Sequence, residues 1–556
     1  MYWKVQGPLE GSYRMLATNR TAGLRANRIQ KDGVPVKGTT FLRSALRILS
    51  IATRRKWTLA ALFFAAAGAV SAGVIVIPNL FPFLDATGLV STFNATGAIH
   101  EDSAFFQSLG TNGRTCATCH QASDAMGLRA DNVRIRYITS RGTDPLFAAI
   151  DGANCPNGSP RNPADHSLLL SHGLIRIPIT LPVGTKFQIT AVHDPYGCAI
   201  TTDATGAQTV SVYRRPLPTT NLKFLSTIMF DGRETIQSLA TPATFTASLN
   251  FDLQHQAMDA TLIHAQAANP PTAAQQADIV NFELGLNSAQ IADGHAGALN
   301  QDGALGGALN LSQQVPFYYP GTNDSLGHDP EGGTFNPAAV FTMFQAWENL
   351  PSSWNPLQNY LNAQREKIAA GEKLFNTRAL TISSVRGLND NAALGAVPVA
   401  PFSGTCTTCH DAPNAGDHSL PLPLDIGTVH SPANETDPII AAGIAQLDIP
   451  DLPVYAITGC PDPFAPPTGN AGVSGAPAPP YVIYTTDPGK GLVTGACGDV
   501  DRVKGPVLRG LAARAPYFHN GAAQNLDQLL NFYNQRFQMN LTNEEKSQLE
   551  AFLNSL

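Results

Sequence analysis

Apolar positions recur most regularly at the C-terminal end of the chain. In "LTNEEKSQLEAFLNSL", Leu549, Phe552, Leu553 and Leu556 fall on one face of a helix, and Thr542 with Glu545 forms a capping box at its start. The same spacing over "REKIAAGEKLF" sets Ile368, Gly371, Leu374 and Phe375 on one side, and Leu526, Leu529, Leu530 and Tyr533 follow it too. Over "HEDSAFFQSLGTNGRTCATCH" it predicts a further helix, with Phe105, Phe106 and Leu109 on one face before a Gly-rich break. The two-residue alternation of strands is weak and short, best in "KFQITAV" and "TVSVYRR". The pattern therefore predicts a mainly α protein with long irregular loops and few short strands.

One apolar run has no such periodicity. Trp57 to Ile77 is uncharged and follows Arg54, Arg55 and Lys56, as in an export signal or a membrane anchor, and small residues ending at Ala72 offer a cleavage point. The basic side would stay in the cytoplasm, which puts the rest in the periplasm or cell envelope. Residues 1–56 hold twelve Lys or Arg against Glu10 and Asp32, whereas the remaining 24 basic residues face 40 acidic ones. The acidic body argues against nucleic acid and suits a basic protein partner, although a solvated acidic surface gives the same count. The 48 Gly and 41 Pro predict ordered, irregular connections.

Of the eight cysteines, Cys155 with Cys198 and Cys460 with Cys497 form sequence-local pairs. Two disulfides are expected in an exported chain, each adding about 4 kcal/mol on a chain-entropy argument. The other four lie in a five-residue device that occurs twice: Cys116, Cys119 and His120 in "GRTCATCHQA", and Cys406, Cys409 and His410 in "GTCTTCHDA". Two thiols three residues apart can add to the two vinyl groups of one haem, and the following histidine can reach its iron. A four-thiolate zinc site and a thioredoxin-like redox motif are the alternatives. Neither needs the histidine, and no βαβ pattern surrounds either copy.

Four stretches in order carry a resemblance to the di-haem bacterial cytochrome c peroxidases and MauG-like enzymes, including the longer branch that contains rubber oxygenases. They are "FFQSLGTNGRTCATCH", "RRPLPTTNLKFLSTIMFDGRET", "CTTCHDAPNAGDHS" and "VKGPVLRGLAARAPYFHNGAAQNLDQLLNFY". The resemblance implies two cytochrome c-like haem domains, residues 84–336 with a catalytic haem and 337–556 with an electron-transfer haem. It implies that Phe230 lies between the haems, where tryptophan is usual, and that Arg233 pairs with a haem propionate. Over the open face of the first haem the family places a Gln and a Glu; the matching positions are Gln256 and Gln266. An amide cannot move a proton, so His264 is the expected acid/base, with His255 a weaker candidate.

On the second haem the resemblance points to Tyr533 as the ligand opposite His410. Helical spacing leaves the alternative that Tyr533 is a core residue and His519 the ligand. A calcium ion would be held by Asn221 and the carbonyls of Arg514 and Pro516. The function implied is a peroxide-dependent oxidoreductase that takes hydrogen peroxide and draws electrons from a small cytochrome or copper protein. An O2-dependent oxygenase of an apolar substrate and a di-haem electron carrier are the competing readings.

Overall fold

The computed structural model describes residues 76–237, 243–313, 325, 329, 332–412, 423–464 and 481–556. The basic arm and the apolar run as far as residue 75 lie outside them, as does most of the Pro-rich stretch from 461 to 480. Among the described residues no helix is long and apolar enough to cross a membrane. Val76 and Ile77, at the end of that run, pair with His100 and Ile99 as an antiparallel bridge of strands.

The expected mainly α fold is corrected to a mixed one, 34% helical and 16% strand, with several small sheets. Strands Gly88–Asn94 and Leu286–Asp293 form the longest pairing the sequence did not announce. Their polar residues Ser91, Thr92, Ser288 and Gln290 are buried, and Thr92 Oγ1 meets Ser288 Oγ at 2.7 Å. Polar side chains turned inward remove the alternation by which a half-buried strand is recognised. "KFQITAV" and "TVSVYRR" do become strands, Gln188–His193 and Gln208–Arg214.

The helix expected around Phe105 is a single 3-10 turn, Ala104–Phe106, opened by Ser103, whose Oγ accepts from the Phe105 N–H. The chain turns extended at Gln107, with φ −89° and ψ 141°, and then passes so close to a neighbour at Gly110 that a Cβ there would come within 1.8 Å of the Ala265 carbonyl oxygen. Phe105 and Phe106 instead pack on Phe282, with ring centroids 4.8 and 5.4 Å away.

The other three helical patterns are realised, as Pro356–Thr377, Leu526–Arg536 and Asn543–Asn554. Asn355 caps Pro356–Thr377, with Pro at the first position, and Thr542 with Glu545 closes a reciprocal box at the start of Asn543–Asn554. The two cross so closely at Gly371 that a Cβ would lie 2.0 Å from the Gln548 carbonyl oxygen. Their apolar faces build the largest core with Leu526–Arg536, and Cys406 and Cys409 pack against it. A separate core of Phe105, Met126, Ala257, Ile279 and Phe282 surrounds Cys116. Both expected disulfides are present, Cys155–Cys198 and Cys460–Cys497. Chain from either side of residue 336 is interwoven. Gln188–His193 shares a sheet with Val454–Thr458 and Val482–Thr485, and the carbonyl of Leu556 accepts from Gln290 N–H at 3.1 Å.

Candidate functional site

The two five-residue devices fold alike. Cys116–Thr118 and Cys406–Thr408 are each one 3-10 turn, opened by Thr115 and Thr405, which exchange reciprocal hydrogen bonds with Thr118 and Thr408. His120 N–H donates to the Cys116 carbonyl at 3.1 Å, and His410 N–H to Cys406 at 3.0 Å. All four thiols are unpaired, whereas the other four cysteines are in disulfides. Burial pushes Cys116, Cys406 and Cys409 up to about 12 and Cys119 to about 11, so the thiols are protonated. Each pair lines its own cavity. Neutral thiols in separate cavities suit neither a shared zinc ion nor an acidic redox cysteine, and they do suit two macrocycles.

The first cavity encloses about 1410 Å³, its open mouth included. His120 lines it, with Nδ1 3.3 Å from the Met126 carbonyl. Burial lowers this imidazole to about 4, so it is neutral, donates through Nδ1 and keeps the Nε2 lone pair for a metal. The residues therefore fit a haem.

Helix Phe245–Ile263 contributes Leu253, Gln256, Ala257 and Ala260 to the same cavity, and His264, its C-terminal cap, follows at the next turn. Loop 110–114 straps this end of the helix: Thr111 N–H donates to the Ala265 carbonyl at 3.0 Å and Asn112 Nδ2 to the His264 carbonyl at 2.8 Å. His264 Nδ1 lies 2.5 Å from Asp151 Oδ2, and Asp151 is also paired with buried Arg114. Burial alone would raise the Asp151 carboxyl, but hydrogen bonding to His264 and the Arg114 charge outweigh it and hold the group below its usual range. Gln266 lies outside the cavity; it is exposed, and its side-chain oxygen accepts from Asn112 at 3.3 Å. His255 is also outside, 2.8 Å from Glu234.

Sequence reasoning missed three groups in this cavity. Asp151 and Arg114 carry no local motif and meet His264 only through the fold. Glu283 is buried; Thr219 Oγ1 donates to its Oε1 at 2.6 Å, and its Oε2 has no partner. Burial raises this carboxyl to about 7, against the opposing Thr219 hydrogen bond.

Arg215, Pro216, Leu217, Pro218, Phe230, Lys504 and Val507 line both cavities and so form the wall between them. Phe230 is buried in this wall, 6.0 Å from the His519 ring. Just after it, Asp231 is held between Arg214 and Arg233; Arg233 lines the first cavity, 2.9 Å from Asp231 Oδ2. Arg214 also grips Asp487 with two bonds of 2.6 and 2.8 Å.

The second cavity encloses about 1780 Å³ and is lined largely by apolar side chains. His410 is there, and so are both candidates for the opposite ligand, Tyr533 and His519. Tyr533 stacks on Phe537 at 5.7 Å, and burial raises its phenol well above the usual value. His519 is 4% exposed, and its Nε2 has no hydrogen-bond partner. Burial lowers it to about 4, although the Asp487 carboxylate 3.8 Å away opposes the shift. An orphaned buried nitrogen calls for a partner outside the chain's own atoms, and an iron would supply one.

Two of the three groups expected to hold calcium have partners within the chain. Asn221 Oδ1 accepts from Ser288 N–H at 3.1 Å and Nδ2 donates to the Ser288 carbonyl at 3.0 Å, so both ends of the amide are engaged. The Arg514 carbonyl accepts from Arg215 at 2.8 Å.

No family model matches this chain. Its sequence is similar to cytochrome-c peroxidase IdrP2 of Denitromonas iodatirespirans, 28% identical over 160 residues. The match covers 28% of this chain and spans only 36% of that relative's length. It supports a peroxidase-like oxidoreductase and nothing finer.

Proposed function

We propose that the chain is an exported di-haem c-type oxidoreductase that reduces hydrogen peroxide in the first cavity and receives electrons through the second. The supporting observation is an asymmetry: both cavities carry the same Cys-x-x-Cys-His turn, but the first adds a hydrogen-bonded histidine–carboxylate pair, His264 and Asp151, 2.5 Å apart, where in the second His519 Nε2 stands 3.8 Å from Asp487 and makes no hydrogen bond. A bound haem would supply the iron to which peroxide coordinates and the electrons for cleaving its O–O bond.

The chain's own part is proton handling. Asp151 accepts from His264 Nδ1, which fixes the tautomer and leaves Nε2 as the basic nitrogen. Nε2 takes the proton from one peroxide oxygen and returns it to the other as the bond breaks. Gln256 orients the oxidant by hydrogen bonding, and Arg233, tethered by Asp231, offers its remaining N–H groups to a haem carboxylate. Peroxide, two electrons and two protons give two waters. The electrons would come from a small basic cytochrome or copper protein, which suits the acidic body.

His120 would hold the first iron and His410 the second. For the face opposite His410 we favour His519, whose Nε2 is unpartnered, over Tyr533. Phe230 has no readily oxidised ring, so its part is to exclude water between the haems.

Optical and EPR spectra of the ferric holoprotein, before and after one equivalent of peroxide, test this reading. The expected result is a response confined to one haem, which slows sharply in His264→Ala. Two six-coordinate irons inert to peroxide would select an electron carrier instead. The apolar wall of Leu222, Leu225, Ile228, Leu253 and Ile279 favours the oxygenase as a second reading. A five-coordinate ferrous haem that binds O2 stably would identify it.

A further inference from the structure

Arg215 is a buried cation that makes no ion pair with a carboxylate among the described residues, Asp124 acting on it only from a distance. It follows strand Gln208–Arg214, is 8% exposed, and lies in the wall common to both cavities. Its guanidinium binds carbonyl oxygens instead. Nη1 donates to His172 at 3.1 Å, and Nη2 donates to Arg514 at 2.8 Å and to Leu128. The three acceptors come from distant stretches. Leu128 follows the first Cys-x-x-Cys-His turn, His172 ends helix Ser167–His172, and Arg514 caps the turn Leu511–Ala513 in the C-terminal half. Arg215 N–H also donates to the His519 carbonyl at 2.7 Å, which ties the same point to the second cavity.

Converging carbonyl oxygens are what a hard divalent cation requires, and a buried charge persists only where dipoles or counter-charges compensate it. Burial, and then the neighbouring Arg514, lower the guanidinium to about 9, which still leaves it charged at neutral pH. The Arg514 carbonyl, one of those expected to bind calcium, is engaged by this side chain, and Asn221 is engaged by Ser288.

We propose that the Arg215 guanidinium, which shares the wall between the two cavities with Lys504, is a built-in cation serving there in place of a calcium ion. It clamps the two halves of the chain together and presents one fixed positive charge to both haem sites. The clamp stands on hydrogen bonds within the chain and does not depend on which oxidant the first cavity takes.

Two measurements on the haem-loaded protein test it. Wild-type protein should hold no stoichiometric calcium by atomic emission, and neither a chelator nor added calcium should move its thermal midpoint or haem spectrum. Arg215→Gln should lower the midpoint by roughly 5 °C, with calcium restoring part of the loss, and should lower the reduction potentials of both haems. Arg215→Lys, which keeps the charge but not the fork, should retain the potentials while losing part of the midpoint. If Arg215→Gln does not fold, Arg215→Lys and the wild-type calcium measurements still decide. One tightly held calcium whose removal shifts the midpoint would overturn the proposal. So would an Arg215→Gln protein with unchanged midpoint and potentials.

Discussion

The two Cys-x-x-Cys-His cavities share a turn and differ in what faces it. In the first, His120 looks across at a wall that includes His264, Asp151, Gln256 and Arg233. In the second, His410 is surrounded largely by leucines, valines and aromatic rings, with Tyr533 and His519, the two ligands expected from the sequence, beside Met539, Tyr517 and Lys504. The turn is common to both, so it does not tell the cavities apart. On the proposed function, the hydrogen-bonded His264–Asp151 pair in one wall is what would make that site react while the other conducts.

The harshest way to break the comparison is to remove a thiol pair. Cys116→Ser with Cys119→Ser should halve the haem content of the purified protein and abolish its response to peroxide. Cys406→Ser with Cys409→Ser should also halve the haem, yet leave a single-turnover response at the first. Pyridine haemochrome content and stopped-flow spectra check both, and a peroxide response surviving in the first variant would refute the assignment of roles.

Next in size is the dyad. His264→Ala should slow peroxide cleavage by about 10²- to 10⁴-fold. Asp151→Asn, which leaves the imidazole in place but loosens its orientation, should cost about 10- to 100-fold. Equal, small effects from both would mean that His264 is only a surface histidine with a carboxylate neighbour.

The comparison sharpens at the second iron. His519→Ala should convert that haem's low-spin EPR signal to high-spin, while Tyr533→Phe should leave it intact; the reverse outcome would assign the ligand to the phenol.

The smallest effect concerns Glu283. A carboxyl raised by burial from 4.5 to about 7 contributes stability that is complete below about pH 4.5 and lost as pH rises through about 7. Glu283→Gln should leave stability at pH 5 nearly unchanged and raise it at pH 8, by up to about 3 kcal/mol. Denaturant unfolding at the two pH values measures this.

What the sequence disclosed was local. The Cys-x-x-Cys-His turns, the Thr542–Glu545 box and the stripe Leu549, Phe552, Leu553 are complete within a dozen residues, and each is formed. Gln256 and His264, named through the family resemblance, stand toward one end of one helix and line the same cavity. Asp151 could not be named that way, since it lies 113 residues before the histidine it hydrogen-bonds and nothing near it in sequence marks it. The strands Gly88–Asn94 and Leu286–Asp293 were invisible for the same reason, their pairing being long-range and their buried polar residues masking the alternation. The helix expected at Phe105 stops at Gln107, and the close approach of Gly110 to Ala265, far along the chain, leaves no mark in the local pattern.

The most direct test of the account is the addition of one equivalent of hydrogen peroxide to the ferric holoprotein, followed by EPR of both haems. The account predicts that the signal of the His120 haem is lost while the His410 haem keeps its ligation, and that His264→Ala delays the loss. Both signals unchanged, or the His410 haem responding first, would contradict it.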